Sequence, residues 1–352
     1  MSNESRDNAR LMTSPAIRYA KTSDHVRIAY YVTGEGPALV FCSNPLFSLI
    51  EEDWRFPEVR RSLELLAQRF TIVRYDSRGC GLSDRNVSEI DLDASIRDIK
   101  AVLSDSGISQ ASLFASFHGG PVAVALAAQS PRLITHLILF HAFARTRDYL
   151  ETPRVRLISA LSRQDWDLYS ETITHAMLGW NDGVASRYAS LFSASDRESY
   201  VRRLEKVSAF DASRFIKDVK VPTLILQRKD FWLTDEGLGK SLASEIPNAS
   251  LSLIEGSSAS MFTEEWYSIV DIISRFIDKG IDAAPSELRQ ILTPRELEIL
   301  RGLTDGLSSK QIANHFGLST HTVERHISNI YDKTGVHGRA ALATFAARQG
   351  LV

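Results

Sequence analysis

The sequence predicts two domains of different fold class, a large α/β domain followed by a small all-α domain. From Ile17 to about Ile277, short apolar runs alternate with helical patterns, which is typical of an α/β sheet. The last 60 or so residues instead carry several successive helix-start signals. A chain of 352 residues is long enough for one large and one small domain.

The expected domain boundaries follow from these patterns. We expect a flexible N-terminus over residues 1–14, whose polar start lacks the apolar core of a secretory signal. Residues 15–278 form the large domain. Residues 279–287 hold glycine, alanine and proline and form a linker, and residues 288–352 form the helical domain.

The large domain contains seven predicted strands. Val26 to Val32 alternates as a half-buried strand, and the others are compact apolar runs: Ala38 to Cys42, Thr71 to Tyr75, Ala111 to Ala115, Leu133 to Phe140, Pro222 to Gln227 and Ser250 to Ile254. Helical stretches such as Ser95–Ser104 and Pro121–Gln129 separate them. Between residues 143 and 217 the pattern becomes helical, polar and aromatic, which predicts an inserted helical cap.

The C-terminal domain opens with a capping box, in which Pro294 follows Thr293 and Glu296 reaches back. Further helix starts are predicted at Ser308-Ser309 and at Ser319-Thr320, with Gly317 as the turn between them. Two short helices joined by a glycine-containing turn are what docking into the major groove of DNA requires. The residues expected to face DNA are Lys310, Thr320, His321, Thr322, Glu324, Arg325, Ser328, Asn329 and Lys333.

This stretch resembles the LuxR-type DNA-binding domain over essentially all of the last 60 or so residues. The motifs that carry the resemblance are residues 292–296, 306–308, 311–313, 322–323 with His326, and 333–336. The resemblance implies a four-helix domain with double-stranded DNA as its partner. Such families often carry lysine after the Thr-Val pair, and here that residue is Glu324. A carboxylate repels phosphate but can accept from a cytosine amino group, so the preferred DNA sequence cannot be transferred from relatives.

The large domain resembles the α/β-hydrolase fold over nearly its whole length. The segments that carry the resemblance are residues 76–83, 221–223 and 246–249. In such enzymes the nucleophile occupies a sharp strand-to-helix turn with small residues two positions to either side. Ala115 and Gly119 are the small residues here, which places Phe117 at the nucleophile position. The alternative register, on Ser116, would have Phe114 and His118 as flanks, both too bulky for the turn.

The other two catalytic positions can be mapped by the same resemblance. The acid position maps onto Phe231, although a shift of one residue would restore Asp230. The base position maps onto Ala259, and no histidine occurs between His175 and His315. The resemblance therefore implies a hydrolase-like domain with no catalytic residues, which we expect not to be an enzyme.

A pocket that binds a ligand without turning it over is what a sensor requires. We expect this pocket, and a small-molecule effector in it, at the strand-end loops. Its predicted wall comprises Ser43, Asn44, Ser116, Phe117, His118, His141, Phe231, Trp232, Ser258 and Ala259. Two alternatives remain open: an active serine-type hydrolase with an unusual nucleophile, and a ligand-free dimerisation scaffold.

Charge and composition restrict the partners and the compartment. Residues 288–352 contain eight Lys/Arg against five Asp/Glu, a net charge of +3 within a chain of net charge −2. A modestly basic module gains from pairing, and the small apolar residues Ala340, Leu342, Ala343 and Ala346 of the last helix predict a homodimer. Two cysteines, Cys42 and Cys80, have no metal-ligand or disulfide pattern. We therefore expect a cytoplasmic protein without metal, cofactor or membrane partner.

Overall fold

The computed structural model describes residues 14–179, 183–234, 236–260, 262, 266–279, 292–334, 336 and 338–348. The chain divides into two compact units, residues 1–281 and 282–352. The predicted linker over 279–287 lies outside the described residues except for residue 279, and of the predicted N-terminal segment 1–14 only residue 14 is described.

The first unit is built on an eight-stranded sheet. Its strands are β1 (Arg18–Lys21), β2 (Arg27–Thr33), β3 (Ala38–Cys42), β4 (Thr71–Tyr75), β5 (Ala111–Ser116), β6 (Ile134–Phe140), β7 (Thr223–Arg228) and β8 (Ala249–Ile254). The order across the sheet is β1-β2-β4-β3-β5-β6-β7-β8. The pairs β1–β2 and β2–β4 are antiparallel and the remaining pairs are parallel.

Helices cover both faces of this sheet because its strands are apolar on both sides. On β3, Val40 and Cys42 face one core cluster, while Leu39 and Phe41 face the other. Helices α2 (Leu92–Asp105) and α3 (Gly119–Gln129) pack into the first cluster. Helices α1 (Pro57–Ala67) and α10 (Trp266–Lys279) pack into the second cluster.

The predicted α/β-hydrolase-like fold with an inserted helical cap is confirmed. Five helices stand between β6 and β7: α4 (Thr146–Leu150), α5 (Pro153–Gln164), α6 (Trp166–Leu178), α7 (Gly183–Ser193) and α8 (Arg197–Val207). Helix α9 (Gly237–Glu245) connects β7 to β8. The sequence analysis did not name β1 or the helices α1, α9 and α10. Strand β1 has only four residues, three of them exposed, so it carries no apolar run.

The second unit is all-helical, with α11 (Pro294–Thr304), α12 (Ser309–Phe316), α13 (Thr320–Thr334) and α14 (Arg339–Arg348). Its core includes Ile299, Ile312, Ile327 and Leu342, one residue from each helix. The predicted capping box at Thr293 and Glu296 is present with Pro294 in the first turn. A second capping box, at Ser308 and Gln311, starts α12.

Candidate ligand cavity and nucleic-acid interface

A cavity of about 310 Å³ lies between the sheet and the cap of the first unit. Its floor is formed by residues at the carboxyl ends of β3, β5 and β6. The described wall is completed by cap helices α4 to α8, the loop that follows β3, Arg74 on β4 and residues after β8. Ligand crevices of open α/β sheets lie at this end of the strands. The volume falls at the small end of the range for ligand pockets, about 300–1,000 Å³.

The turn between β5 and α3 has the geometry of a nucleophile elbow. Phe117 follows the last strand residue, Ser116, and has a φ of 45°, a left-handed conformation that strains a bulky residue. His118 then occupies the N-cap position of α3 without a side-chain capping bond, and the Gly120 amide donates to the Phe117 carbonyl at 2.8 Å. The backbone of the turn lies close to the end of β3 at Gly119, where an added Cβ would stand 2.9 Å from the Cys42 carbonyl oxygen. The strained central position therefore belongs to Phe117, and Ser116 precedes it.

Six of the ten predicted pocket residues line the cavity: Ser43, Asn44, Ser116, Phe117, His118 and Ala259. The other four are not among its described lining residues, which corrects their placement. Trp232 is 42% exposed, with the Arg154 guanidinium 5.1 Å from its ring. Ser258 is fully buried and its hydroxyl donates to the Met177 carbonyl. That the lining six contact a ligand stays a prediction.

His141 and Phe231 pack against Phe117 rather than line the cavity. The His141 ring lies 5.9 Å from the Phe117 ring and 4.3 Å from the Phe231 ring, and Phe231 is also 5.9 Å from Phe117. The rings at the expected nucleophile and acid positions are thus in contact with each other. Asp230, the alternative acid, is exposed.

Two buried histidines stand near the elbow, where the sequence predicted no base. Burial lowers the pKa of His118 to about 3, and its Nδ1 has no hydrogen-bond partner among the described residues. Burial and then the nearby Arg228 charge lower the pKa of His141 to about 3. The His141 Nε2 accepts from the Arg228 amide at 3.2 Å. Both imidazoles are neutral near pH 7.

A buried ion pair lies in the cavity wall. The Arg74 guanidinium on β4 donates to both Asp53 carboxylate oxygens at 2.9 Å, and the Tyr31 hydroxyl donates to the same carboxylate at 2.8 Å. Arg74 also stacks on the rings of Phe41 and Phe262, at 5.2 and 5.8 Å. The wall therefore contains a cation and an anion that neutralise each other.

Four tyrosines of the cap also line the cavity: Tyr149, Tyr169, Tyr188 and Tyr200. The hydroxyls of Tyr169 and Tyr200 are 2.6 Å apart and buried. Tyr149 contacts the elbow, with its ring 5.7 Å from Phe117 and 5.4 Å from His118. The sequence predicted none of them as pocket residues. The spacing of Trp166 and Tyr169 marks an aromatic cap helix, but nothing local to Tyr200 links it to Tyr169.

The second unit contains the predicted helix-turn-helix. Helix α12 ends at Phe316 and is followed by the C-cap residue Gly317, whose left-handed conformation has a φ of 64°. Helix α13 begins three residues after Gly317. The Ser319 hydroxyl accepts from the Thr322 amide at 3.0 Å, which caps the start of α13. Val323, Ile327 and Ile330 bury the inner face of this helix.

The outer face of α13 presents most of the residues predicted to meet DNA. Thr320, His321, Glu324, Arg325, Ser328 and Asn329 are exposed on it, as is Lys310 on α12. Thr322 is half-buried, and its hydroxyl lies 2.8 Å from that of Ser319. That these residues contact DNA stays a prediction.

The placement of Lys333 corrects the predicted docking face, because the charge of Lys333 is paired within its own unit. It is half-buried, and its ammonium donates to the Glu296 carboxylate at 2.7 Å. Arg295 and Arg339 are likewise used within the unit, the first by Glu298 and the second by the Ser309 hydroxyl and the Leu307 carbonyl. Among the described residues of this unit, Lys310 and Arg325 keep unpaired charges.

The last helix also corrects a prediction. Leu342 and Ala346, two of the four small apolar residues expected to pair two copies, are fully buried in the core of their own unit. Helix α14 uses this face to pack against α11. These two residues are therefore not available to a second copy, and of the remaining two Ala343 is half-buried.

Comparison with known proteins agrees with this geometry. Residues 290–346 match the family described as bacterial regulatory proteins, luxR family. The chain carries a LuxR-type DNA-binding domain. Fimbriae Z protein of Escherichia coli (strain K12) is 45% identical over 62 residues, which are 18% of this chain and 30% of that protein. The chain thus spans under a third of this relative's length.

The first unit matches the alpha/beta hydrolase fold over residues 54–204. A putative carbamate hydrolase RutD of Azorhizobium caulinodans is 25% identical over 205 residues, 56% of this chain and 77% of that protein. The crystal structure of an esterase, RhEst1 from Rhodococcus sp. ECU1013, superposes with a TM-score of 0.65 at 25% identity and covers 76% of this chain and 99% of the esterase. Within the described parts of the chain, no helix is both long and apolar enough to cross a bilayer.

Proposed function

We propose that this protein is a sequence-specific DNA-binding transcriptional regulator of the cytoplasm whose hydrolase-like unit binds a small molecule without hydrolysing it. The observation that carries the proposal is Phe117 in the strained elbow position, at the floor of a cavity. A phenyl ring has no lone pair with which to attack a carbonyl. Loss of a triad's nucleophile and base costs on the order of a millionfold in rate.

The buried histidines do not supply the missing base. A general base works best when its pKa lies near the operating pH. Burial holds the pKa of His118 and of His141 at about 3, and the His141 Nε2 is already used by the Arg228 amide. Near pH 7 either ring would accept a proton with little driving force.

Regulation requires that the ligand distinguish two states of the protein. A ligand shifts an equilibrium only by its differential affinity for the DNA-competent and DNA-incompetent arrangements, and a few kcal/mol suffice. The residues proposed to face DNA are the exposed side chains of α13 together with Lys310. Among the Lys and Arg side chains that the structure describes in the second unit, only Lys310 and Arg325 form neither a hydrogen bond nor an ion pair within the unit. Because two cations per copy give weak binding to phosphate, we propose that two copies bind together at half-sites about one helical turn apart.

DNA binding is tested with the full chain by selecting bound fragments from a random-sequence DNA library, then measuring their affinity by fluorescence anisotropy. The proposal expects a defined sequence, protection of two half-sites, and an affinity that changes when a ligand fills the cavity. Binding of equal strength to all sequences would contradict it.

A second candidate function is an active hydrolase fused to the DNA-binding domain. Two observations favour it: similarity to hydrolases over 205 residues, and the Ser116 hydroxyl in the cavity wall. This candidate predicts turnover of p-nitrophenyl acetate and longer aryl esters that is lost in Ser116→Ala. Our proposal predicts no turnover above the buffer rate in either protein.

A third candidate, a ligand-free dimerisation scaffold, predicts a protein that no small molecule stabilises. Native mass spectrometry of the purified full chain tests it. A co-purified small molecule that is lost on denaturation would exclude the scaffold. Unchanged mass and unchanged Tm across a metabolite library would support the scaffold against our proposal.

A further inference from the structure

The charges in the cavity wall are all balanced. Among the described lining residues, Glu52, Asp53 and Arg74 are the charged ones. Glu52 pairs with Arg55 at 2.5 Å, and Asp53 pairs with Arg74 at 2.9 Å. His118 is neutral because burial lowers its pKa to about 3. A charged ligand would lose its hydration in this cavity without gaining a counter-ion, and that loss is costly.

The hydrogen-bond capacity of the cap phenols is not used up. Tyr169 and Tyr200 have two hydroxyl hydrogens between them, and one of these forms the 2.6 Å bond that joins the pair. The second hydrogen has no acceptor among the described residues, nor has the hydroxyl of Tyr149. Burial raises the pKa of Tyr200 to about 12 and that of Tyr169 well above its usual value, so both hydroxyls remain donors. A donor in a chain of hydrogen bonds is strengthened by its neighbour.

The rest of the wall is largely aromatic. At least eleven aromatic side chains line the cavity, and several form edge-to-face contacts, such as Phe47 with Phe192 at 4.7 Å. Aromatic rings prefer offset-stacked and edge-to-face neighbours, which a flat ligand ring can supply. The volume of about 310 Å³ suits a small ring system.

We propose that the cavity takes an uncharged aromatic compound whose carbonyl or ether oxygen accepts a hydrogen bond from the Tyr169–Tyr200 pair. This inference rests on the proposed ligand-binding role of the hydrolase-like unit. The paired wall charges exclude carboxylates and amines. The rings receive the aromatic body of the ligand, and the phenol pair fixes its orientation through the oxygen.

Three probes of matched shape test this with the full chain at pH 7.5, by isothermal titration calorimetry. Acetophenone carries a neutral acceptor, α-methylstyrene replaces the oxygen with a methylene group, and benzoate carries a charge. We expect acetophenone to bind about fivefold more tightly than α-methylstyrene, the effect of about one neutral hydrogen bond. Benzoate should bind more weakly than acetophenone by at least about tenfold.

The double variant Tyr169→Phe/Tyr200→Phe assigns the donor. It retains both rings, so α-methylstyrene should bind as it does to the parent protein. Acetophenone should lose its advantage and bind with about the same affinity as α-methylstyrene. The control is Tyr30→Phe, since the Tyr30 hydroxyl donates to Asp105 at 2.6 Å and Tyr30 is not among the described lining residues. This variant should leave the affinity of all three probes unchanged.

Several outcomes would overturn the inference: benzoate as the tightest probe, equal affinity for acetophenone and α-methylstyrene, an acetophenone preference that survives the double variant, or no binding of any probe at millimolar concentration. The proposed function fails separately. Acetophenone binding without any change in DNA affinity would remove the regulatory role and leave the ligand class intact. A DNA affinity that responds to benzoate alone would keep the regulatory role and remove the proposed ligand class.

Discussion

The cavity of the hydrolase-like unit and the outer face of α13 differ in whether their charged side chains form ion pairs. In the cavity wall, Asp53 and Arg74 form an ion pair at 2.9 Å. On α13, Arg325 and Glu324 are exposed and neither has an ion-pair partner among the described residues. A buried pair costs nothing further when a neutral ligand arrives, whereas an exposed, unpaired cation remains available to phosphate.

This difference indicates where each unit derives its selectivity. The ligand proposed for the cavity is uncharged and would be selected by ring shape and by one hydrogen bond, so its affinity should depend little on salt. A charged helix face binds through counter-ion release, so its affinity should fall as salt rises. Four variants, taken from the largest expected effect to the smallest, test this contrast.

The largest effect is expected from Asp53→Asn, which leaves the largely buried Arg74 guanidinium, whose side chain is 19% exposed, without its carboxylate partner. Removing one member of a buried pair costs about 3–5 kcal/mol, so the free energy of unfolding of the first unit should fall by about that amount in urea titrations. The same variant should now bind benzoate more tightly than the parent protein does. Arg55→Ala, which removes an exposed partner of Glu52, is the control and should cost less than about 1 kcal/mol. Unchanged benzoate affinity in Asp53→Asn would mean that the pair does not set the neutrality of the cavity.

The second unit has its own buried charge, and Glu296→Ala tests it. The Glu296 carboxylate accepts from the Thr293 amide and from the Lys333 ammonium, each at 2.7 Å. Although burial acts to raise the pKa of Glu296, these bonds outweigh it and lower that pKa. We expect a loss of about 2 kcal/mol from the missing cap and the unpaired lysine, read as faster hydrogen exchange across α11.

The matched control is Gln311→Ala in the second capping box, whose amide side chain is exposed. It should cost about 0.5–1 kcal/mol, seen as a smaller acceleration of exchange in α12. Equal effects of the two variants would show that the Lys333 ion pair adds nothing to the cap.

Features encoded in neighbouring residues were predictable from the sequence. The strands other than β1, the Thr293 cap and the Gly317 turn all depend on patterns a few residues long. The elbow position of Phe117 also rests on a short motif, interpreted through the resemblance to the α/β-hydrolase fold. The resemblance to known families then ordered these elements into folds. This is why the architecture and the position of the elbow could be predicted.

Pairs of residues distant in the chain were not predictable. Asp53 and Arg74 are 21 residues apart, Tyr169 and Tyr200 are 31 apart, and Glu296 and Lys333 are 37 apart. Each pair forms only when its two segments pack together in the folded domain, so no local sequence pattern predicts it. The small apolar face of α14 was misassigned for a related reason, since such a face packs equally well on a neighbouring helix of its own domain or on a second copy.

A smaller effect than that of Glu296→Ala is expected from His118→Gln, in the pH dependence of the free energy of unfolding. His118 takes up a proton near pH 6.5 in the unfolded chain but only near pH 3 in the folded protein. Stability therefore falls as the pH drops through that window, because the unfolded chain binds the proton first. His118→Gln should remove about 1–2 kcal/mol of the difference between the unfolding free energies at pH 7 and pH 5. Burial raises the pKa of Asp76 to about 6, which acts in the opposite direction in both proteins and cancels in the comparison. Equal pH dependence in parent and variant would contradict the buried neutral imidazole.

The smallest effect, and the one that separates binding from folding, is expected from Arg325→Ala. Because its guanidinium is exposed and unpaired among the described residues, we expect no change in Tm and a loss of DNA affinity of about 1 kcal/mol, or about fivefold. If Arg325 meets phosphate, the slope of log affinity against log salt should also become shallower by about one. Lys333→Ala should behave oppositely, with a lower Tm and the same salt slope, since its charge is held by Glu296. A shallower salt slope in Lys333→Ala and none in Arg325→Ala would move the docking face away from the outer side of α13.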